Sequence, residues 1–461
     1  MLVSYRWIQE LLPALNASAA EVAERLTRGG LEVEAVQEVG LGLDPIVVAE
    51  VRAIEPHPTK SGLRLVSVDR GGVAQRVVCG ASNVPAPGGR VLLAPLGTVI
   101  PGLGPLTPRE IGGVASEGML VSEEELGLSS ESDGIIVLDA SVGVPGAKLF
   151  DVFPEARDSI FHVGVTPNRP DALGHLGVAR DVAALFGVEF SAPEPSAIAR
   201  WSDESLEKLV SVENLDLERC PHYGAAVVLD VSIAPSPAWL RWRLHKLGVR
   251  PINNVVDITN LVLLGWGQPM HAFDLDRVRG GRVVVRRARN DEPFTTLDGV
   301  ARQLDADDLV ICDAEGPSAL AGVMGGQDSE IKDSTKRVLL ECAYFTPRGI
   351  RRTSRRHTLG TESSFRFERG VDWGAVPRVL EIASGLMGEL AGGAAVRGAI
   401  HAKGEDPTLP VVRLRSHRLN ALLGIDVPFA EATSILRRLG LEVIRDGSAE
   451  AEVRGASFRP D

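Results

Sequence analysis

The segment NNVVDITNLVLLGWGQPMHAFDLD, Asn253 to Asp276, decides how the middle of this 461-residue chain is read. Its first half is apolar on most sides, which predicts a helix buried in a core. Thr259 and Asn260 interrupt that apolar run, and a Gly-Gln-Pro turn then leads to His271. Pro269 stiffens the backbone just before the histidine. A buried polar group costs free energy unless it is paired, so these residues mark either a site or a well-satisfied core. Taken alone, His271 reads as a core histidine, and the rest of the chain decides what the wall around it does.

Outward from this segment, residues 205–400 mix helices and strands into an α+β domain. PAWLRWRLHKLG is an amphipathic helix, GRVVVRRAR a strand, LVICDAEGPSALAGVMGG strands around a Gly-rich turn, and VPRVLEIASGLMGELAGG a late helix. Further polar residues gather near apolar runs. Glu341 is read as ending the strand in KRVLLECAYF, and Thr361, Ser363 and Ser364 lie in LGTESSFRFERG. Gly322, Gly325 and Gly326, in ALAGVMGG, stand where a backbone can approach a ligand closely. Several chemistries lack their residues. The Gly-rich run has no phosphate-loop lysine, no second histidine or cysteine sits at zinc-ligand spacing, and no serine occupies a nucleophile elbow. The residues alone describe a polar-lined pocket of unassigned substrate.

The flanks read differently. SAAEVAERLTRGG is a helix with a Ser18/Glu21 capping box and a glycine stop. From Asp44 to about Leu149, IVVAEVRAI, LRLVSVDR, QRVVCGA and GRVLLAPLGTVI are short strands punctuated by Gly and Pro, as in a small barrel or a sandwich. TPNRPD is a rigid loop before the helix ALGHLGVARDVAALFG, and APEPSAIARWSDES and KGEDPTLP read as linkers. Beyond them, RSHRLNALLGIDVPFAEATSILRRLGLEVI predicts two helices around a turn, followed by a strand that stops at Asp461, as if the natural chain continued. MLVSYRWIQELLP carries charges within its apolar stretch and reads as an amphipathic helix rather than a signal peptide.

Hydrophobic residues make up 44% and charged residues 24%, and no apolar run approaches a membrane span. Four cysteines without metal-ligand spacing fit reduced thiols in the cytoplasm. A net charge of −12 argues against nonspecific nucleic-acid binding. Against that average, RGIRRTSRRH holds Arg348, Arg351, Arg352, Arg355 and Arg356. As a helix it would align Arg348, Arg352 and Arg356 on one face, either solvated or turned to phosphates.

Together these strings resemble the β subunits of bacterial phenylalanine–tRNA ligases. VVAEVRAIEPHPTKSGLRLVSVD, VVCGASNV and GVASEGMLVSEEELGL are similar to the family's tRNA-binding oligonucleotide-fold module. NNVVDITNLVLLGWGQPMHAFDLD, ALAGVMGG and GTESSFRFERGVD resemble its editing domain. The resemblance implies a multidomain α+β chain. Residues 1–40 and 151–200 would form a discontinuous N-terminal domain around an oligonucleotide-binding β-barrel at 41–150. An editing domain at 205–400 and the incomplete start of a helical/winged domain at 405–461 would follow.

It also implies a division of labour. The α subunit, in an α2β2 tetramer, would carry ATP-dependent charging, and the β subunit would bind tRNA(Phe) and hydrolyse tyrosine wrongly attached to it. Such a second site is needed because an apolar charging pocket rejects an added hydroxyl only about a hundredfold. By the same resemblance Glu341 would bind the tyrosine hydroxyl, and His271 and Ala272 would hold the ester and its ribose. Thr259 and Asn260 would stand near the amino group and the attacking water, and Gly322 and Thr361 would line the ring pocket. The charge pattern of the arginine helix, not the resemblance, assigns Arg352 and Arg356 to tRNA phosphates. Ser363 stands where the family usually has alanine. A second reading, a non-catalytic tRNA-binding and assembly subunit with a decayed pocket, starts from that residue. Asp461 matches the first acid of a magnesium-binding cluster at the α-subunit contact, whose other carboxylates would lie beyond it.

Overall fold

The computed structural model describes residues 1–130, 132–195, 197–327 and 330–460. Asp461, and with it the predicted magnesium ligand, lies outside the described residues. Strands Leu2–Ser4 and Glu32–Val39 flank Asp158–Gly164 in a three-stranded antiparallel sheet. The first residues are thus a strand, and the N-terminal helix begins only at Tyr5. Helix Ala19–Arg28 starts at the capping box, where the Ser18 Oγ accepts from the Glu21 N–H and the Glu21 carboxylate accepts from the Ser18 N–H. Gly30, at φ +97°, turns the chain out of it.

Between the second and third of these strands the chain builds a barrel. Strands Val47–Pro56, Arg64–Asp69, Ala74–Cys79, Arg90–Pro95, Gly118–Leu120 and Val137–Leu138 form one curled, nearly closed antiparallel sheet. Every second residue points inward, so Ala49, Val51, Val66, Val68, Val91 and Leu93 pack as a single core.

The longest unit is a sandwich with helices on its outer side. Its main sheet runs Trp201–Ser202, Ala394–Val396, His222–Leu229, Val338–Tyr344, Met270–Asp274, and Ile400–Lys403 also pairs with His222–Leu229. The first stretch read as a linker thus gives a strand to this sheet, whereas the second, KGEDPTLP, shares only Lys403 with a strand. A second sheet runs Ser211–Asn214, Arg282–Arg287, Leu309–Cys312, Pro317–Leu320, Met324–Gly325. One core fills the space between the sheets. A separate core lies on the far face of the main sheet, under helices Asn254–Trp266 and Val376–Ala391.

His175 joins this unit to the first. It is fully buried, accepts the Ser4 N–H at 2.9 Å through Nε2 and donates from Nδ1 to the Leu264 carbonyl at 2.7 Å. Burial pushes it down to about 3, so it stays neutral. The C-terminal segment adds two strands to the predicted pattern. Val411–Arg415, Glu450–Arg454 and Glu442–Asp446 form a small antiparallel sheet, with helices Ser416–Leu423 and Phe429–Arg438. Among the described residues no helix is long and apolar enough to cross a membrane.

Candidate functional site

The site is built on two neighbouring strands. Asn253 caps helix Asn254–Trp266 by accepting from the Val255 and Val256 N–H groups, and Gly267, at φ +70°, ends the helix. The chain then turns through Gln268, whose amide donates to the Ala343 carbonyl at 2.9 Å, and enters Met270–Asp274. That strand pairs antiparallel with Val338–Tyr344, and the register sets His271 directly opposite Glu341. Glu341 is thus in the middle of its strand, not at its end, because the ladder continues to Tyr344.

Both side chains face the space between the sheets, where a cavity of about 210 Å³ is lined by His271, Glu341, Gly322, Gly325, Ser363 and Phe367 among others. A cavity of about 150 Å³ already takes a benzene ring. Gly322 has φ +66°, and a Cβ there would meet Ile350, Phe345 and Phe367 at 2.9–3.0 Å. A Cβ on Gly325 would meet the His271 ring at 2.7 Å. Both glycines therefore let side chains pack against the backbone of the wall: Ile350, Phe345 and Phe367 at Gly322, and the His271 ring at Gly325.

Burial controls the electrostatics. It pushes the Glu341 carboxyl up to about 8, partly opposed by a hydrogen bond that Tyr223 Oη donates to Glu341 Oε2 at 3.0 Å. It pushes His271 down to about 4, and the buried Nε2 has no partner among the described residues. Near neutral pH the cavity thus holds an uncharged imidazole and a mostly uncharged carboxyl. A carboxyl in that state can both donate and accept a hydrogen bond. An imidazole held so low is a weak proton acceptor at neutral pH, suited to orienting a water or hydroxyl rather than ionising one.

The other expected residues are distributed unevenly. Ser363 lines the cavity, but its Oγ donates to the Gly322 carbonyl at 3.1 Å, so its proton is engaged in the wall. Thr361 caps helix Glu362–Phe367 and donates to the Val323 carbonyl at 2.9 Å, which fastens this wall rather than lining the ring space. Ala272 points the other way. As the neighbour of His271 on a strand it faces the core under the helices. Thr259 and Asn260 do not line the cavity. They sit on the helix that covers that opposite face, and Thr259 Oγ1 donates to the Val256 carbonyl at 2.7 Å. Gly325, read from sequence with Gly322 as a place of close backbone approach, does line the cavity, whereas Tyr223 was not singled out. The strand His222–Leu229 is buried on both faces and shows no alternation, so nothing local marked Tyr223.

Helix Pro347–Arg356 lies over the same side of the sandwich and buries Ile350 in its core. Arg348 and Arg352 are exposed. Arg356 is engaged from below, because its guanidinium pairs with Asp308 and lies 3.5 Å from Asp305. The helix thus turns Arg352 outward, while the acidic turn beneath takes much of the charge of Arg356. Elsewhere, a larger cleft of about 1100 Å³ lies between the barrel and helix Ala238–Lys246, and it holds none of the expected site residues. Among the described residues no group of three or more His, Cys, Asp or Glu could hold a metal ion, so no magnesium site can be assembled from them.

Two family models match the chain. Residues 46–147 match a putative tRNA binding domain and residues 219–392 a B3/4 domain. Over its whole length the chain is 43% identical to the phenylalanine–tRNA ligase beta subunit of Syntrophus aciditrophicus and 44% identical to that of Geobacter sulfurreducens, covering 57% of each. Over 96% of the chain it is 46% identical to the subunit of Geobacter metallireducens, covering 55% of that protein. The chain spans a little over half the length of these relatives. With the barrel and the sandwich in the order of the two matched models, the chain belongs to the phenylalanine–tRNA ligase beta subunit family.

Proposed function

We propose that this chain serves a phenylalanine–tRNA ligase by binding tRNA(Phe) and hydrolysing tyrosine wrongly esterified to it. The observation that carries this is the half-buried His271 directly opposite the buried Glu341 at a ring-sized cavity. A phenol entering there finds a carboxyl that can exchange hydrogen bonds with it. A phenylalanine ring leaves that carboxyl unpaired, at a cost of about 1–3 kcal/mol or more. Discrimination therefore runs opposite to that of an apolar charging pocket.

The roles follow from position. Glu341 reads the hydroxyl, and His271 Nε2 orients the ester, its ribose or the attacking water. Gly322 and Ser363 shape the ring space, and Thr361 keeps their wall in place. Thr259, Asn260 and the Ala272 side chain act from outside the cavity, as support for the strand that carries His271. In the whole enzyme the α subunit, in an α2β2 tetramer in the cytoplasm, supplies ATP-dependent charging, with magnesium at their contact. No step of the hydrolysis proposed for this chain passes through that ion. Arg352 meets tRNA phosphates, and Arg356 does so more weakly.

The alternative of a decayed, non-catalytic pocket rests on Ser363. The Ser363–Gly322 hydrogen bond weakens it, since the added hydroxyl is absorbed by the wall. The test is hydrolysis of tyrosyl-tRNA(Phe) by the complete ligase. Wild type should deacylate it, and Glu341→Ala and His271→Ala should each be slower. Equal rates in all three would favour the non-catalytic reading.

A further inference from the structure

We infer that Tyr223 is a positioning residue for substrate choice: its hydroxyl holds Glu341 by Oε2, so that Oε1 is the oxygen offered to the ligand. This inference rests on the editing reading and adds a residue to it.

Tyr223 lies on His222–Leu229, the strand on the other side of Val338–Tyr344 from His271. The register sets Ala225 opposite Glu341, and Tyr223 is two residues further along on the same face. That makes it a diagonal neighbour within reach of a long side chain. It is fully buried, and its Oη donates to Glu341 Oε2 at 3.0 Å. A glutamate has three rotatable torsions, so a carboxyl fixed only at its Cα could turn away from a ligand. The strand register fixes one end of Glu341 and Tyr223 fixes the other.

The bond also sets which proton goes where. When Glu341 is protonated, Oε2 accepts from Tyr223 and the acid proton resides on Oε1, facing a phenol oxygen. When Glu341 is ionised, Oε1 accepts the phenol proton instead. Both states satisfy tyrosine and neither satisfies a phenylalanine ring, but an ionised carboxyl is costlier to leave unpaired, so the preference for tyrosine rises as Glu341 ionises.

Few other titratable groups face this carboxyl. His271 does so from its own strand and Cys220 lies just before the tyrosine strand, while Cys342, the next residue along, points to the opposite face. Helix Glu362–Phe367 contributes Ser363 and Phe367 to the cavity, and the second sheet contributes Ile311, Ala319 and Leu320. His271 is held low by burial, and both cysteine thiols are pushed well above their usual range. A transition in substrate choice near pH 8 would therefore belong to Glu341. A donor on Oε2 favours the ionised form, so losing it moves that transition upward.

The experiment measures kcat and KM of the complete ligase for tyrosyl- and phenylalanyl-tRNA(Phe) hydrolysis, from neutral to alkaline pH. Tyr223→Phe should lower the preference for the tyrosyl ester by about tenfold, mainly through KM, and move the transition to higher pH. Glu341→Gln should abolish the transition. Fluorotyrosine placed at position 223 is a stronger donor of nearly the same shape, and it should move the transition to lower pH. This variant also keeps the test valid if Tyr223→Phe folds poorly. Wild-type preference and an unmoved transition in the fluorotyrosine protein would overturn the inference. Failure of the editing reading looks different: wild type and Glu341→Gln would already treat the two esters alike.

Discussion

The two faces of one sheet make the sharpest comparison in this molecule. Ala272, Leu340 and Cys342 point to one face, where helices Asn254–Trp266 and Val376–Ala391 close an apolar core over them. Their chain neighbours His271 and Glu341 point to the other face. The strands and the register are shared. What differs is the cover: two helices close one face, while on the other the second sheet and helix Glu362–Phe367 leave a cavity. A one-residue step along a strand thus separates a stability residue from a candidate substrate-reading one.

Substitutions can break that contrast. Leu340→Ala on the closed face should cost about 2–5 kcal/mol of stability, read as a lower Tm, while leaving the preference between tyrosyl and phenylalanyl esters unchanged. A changed preference at preserved stability would mean that the two faces are not independent.

The pH dependence of stability gives a smaller and opposite contrast. Glu341 is raised to about 8 from an ordinary 4.5, so its contribution to folding is fully present below about pH 4.5 and is lost as pH rises toward 8. His271 is lowered to about 4 from 6.5, so its contribution is present above about pH 6.5 and is lost as pH falls toward 4. Glu341→Gln should therefore gain in Tm relative to wild type as pH rises through this range. Parallel Tm curves would show that the carboxyl is not held neutral.

The smallest effect concerns which face is turned to nucleic acid. Helix Pro347–Arg356 lies on the cavity side, so Arg352→Gln should reduce the salt dependence of tRNA binding by about one phosphate contact. Arg356→Gln should reduce it less, because Asp308 already holds that guanidinium. An unchanged slope in Arg352→Gln would return the helix to a solvated surface.

Much of this arrangement was legible locally. The Ser18 capping box, the barrel strands and the glycine after Trp266 all follow from residues within a few positions of one another. The pairing of His271 with Glu341 was not, because register between strands 70 residues apart leaves no local mark. A strand buried on both faces also loses the alternation that would have centred Glu341 within it. The Trp201–Ser202 strand was hidden in a Pro-containing linker, where two residues carry no periodicity. The polar break in an apolar helix brought Thr259 and Asn260 forward, and the family resemblance added Ala272 beside His271. Their separation from the cavity depends on which side of the sheet the helix packs, and that is a tertiary fact.

The most direct measurement is the ratio of kcat/KM for tyrosyl- against phenylalanyl-tRNA(Phe) hydrolysis by the complete ligase, in wild type and Glu341→Ala, alongside the Kd for tRNA. If Glu341 reads the phenol, the ratio should fall by about a hundredfold or more while the Kd holds. An unchanged ratio, or a Kd that weakens in step with hydrolysis, would contradict that role.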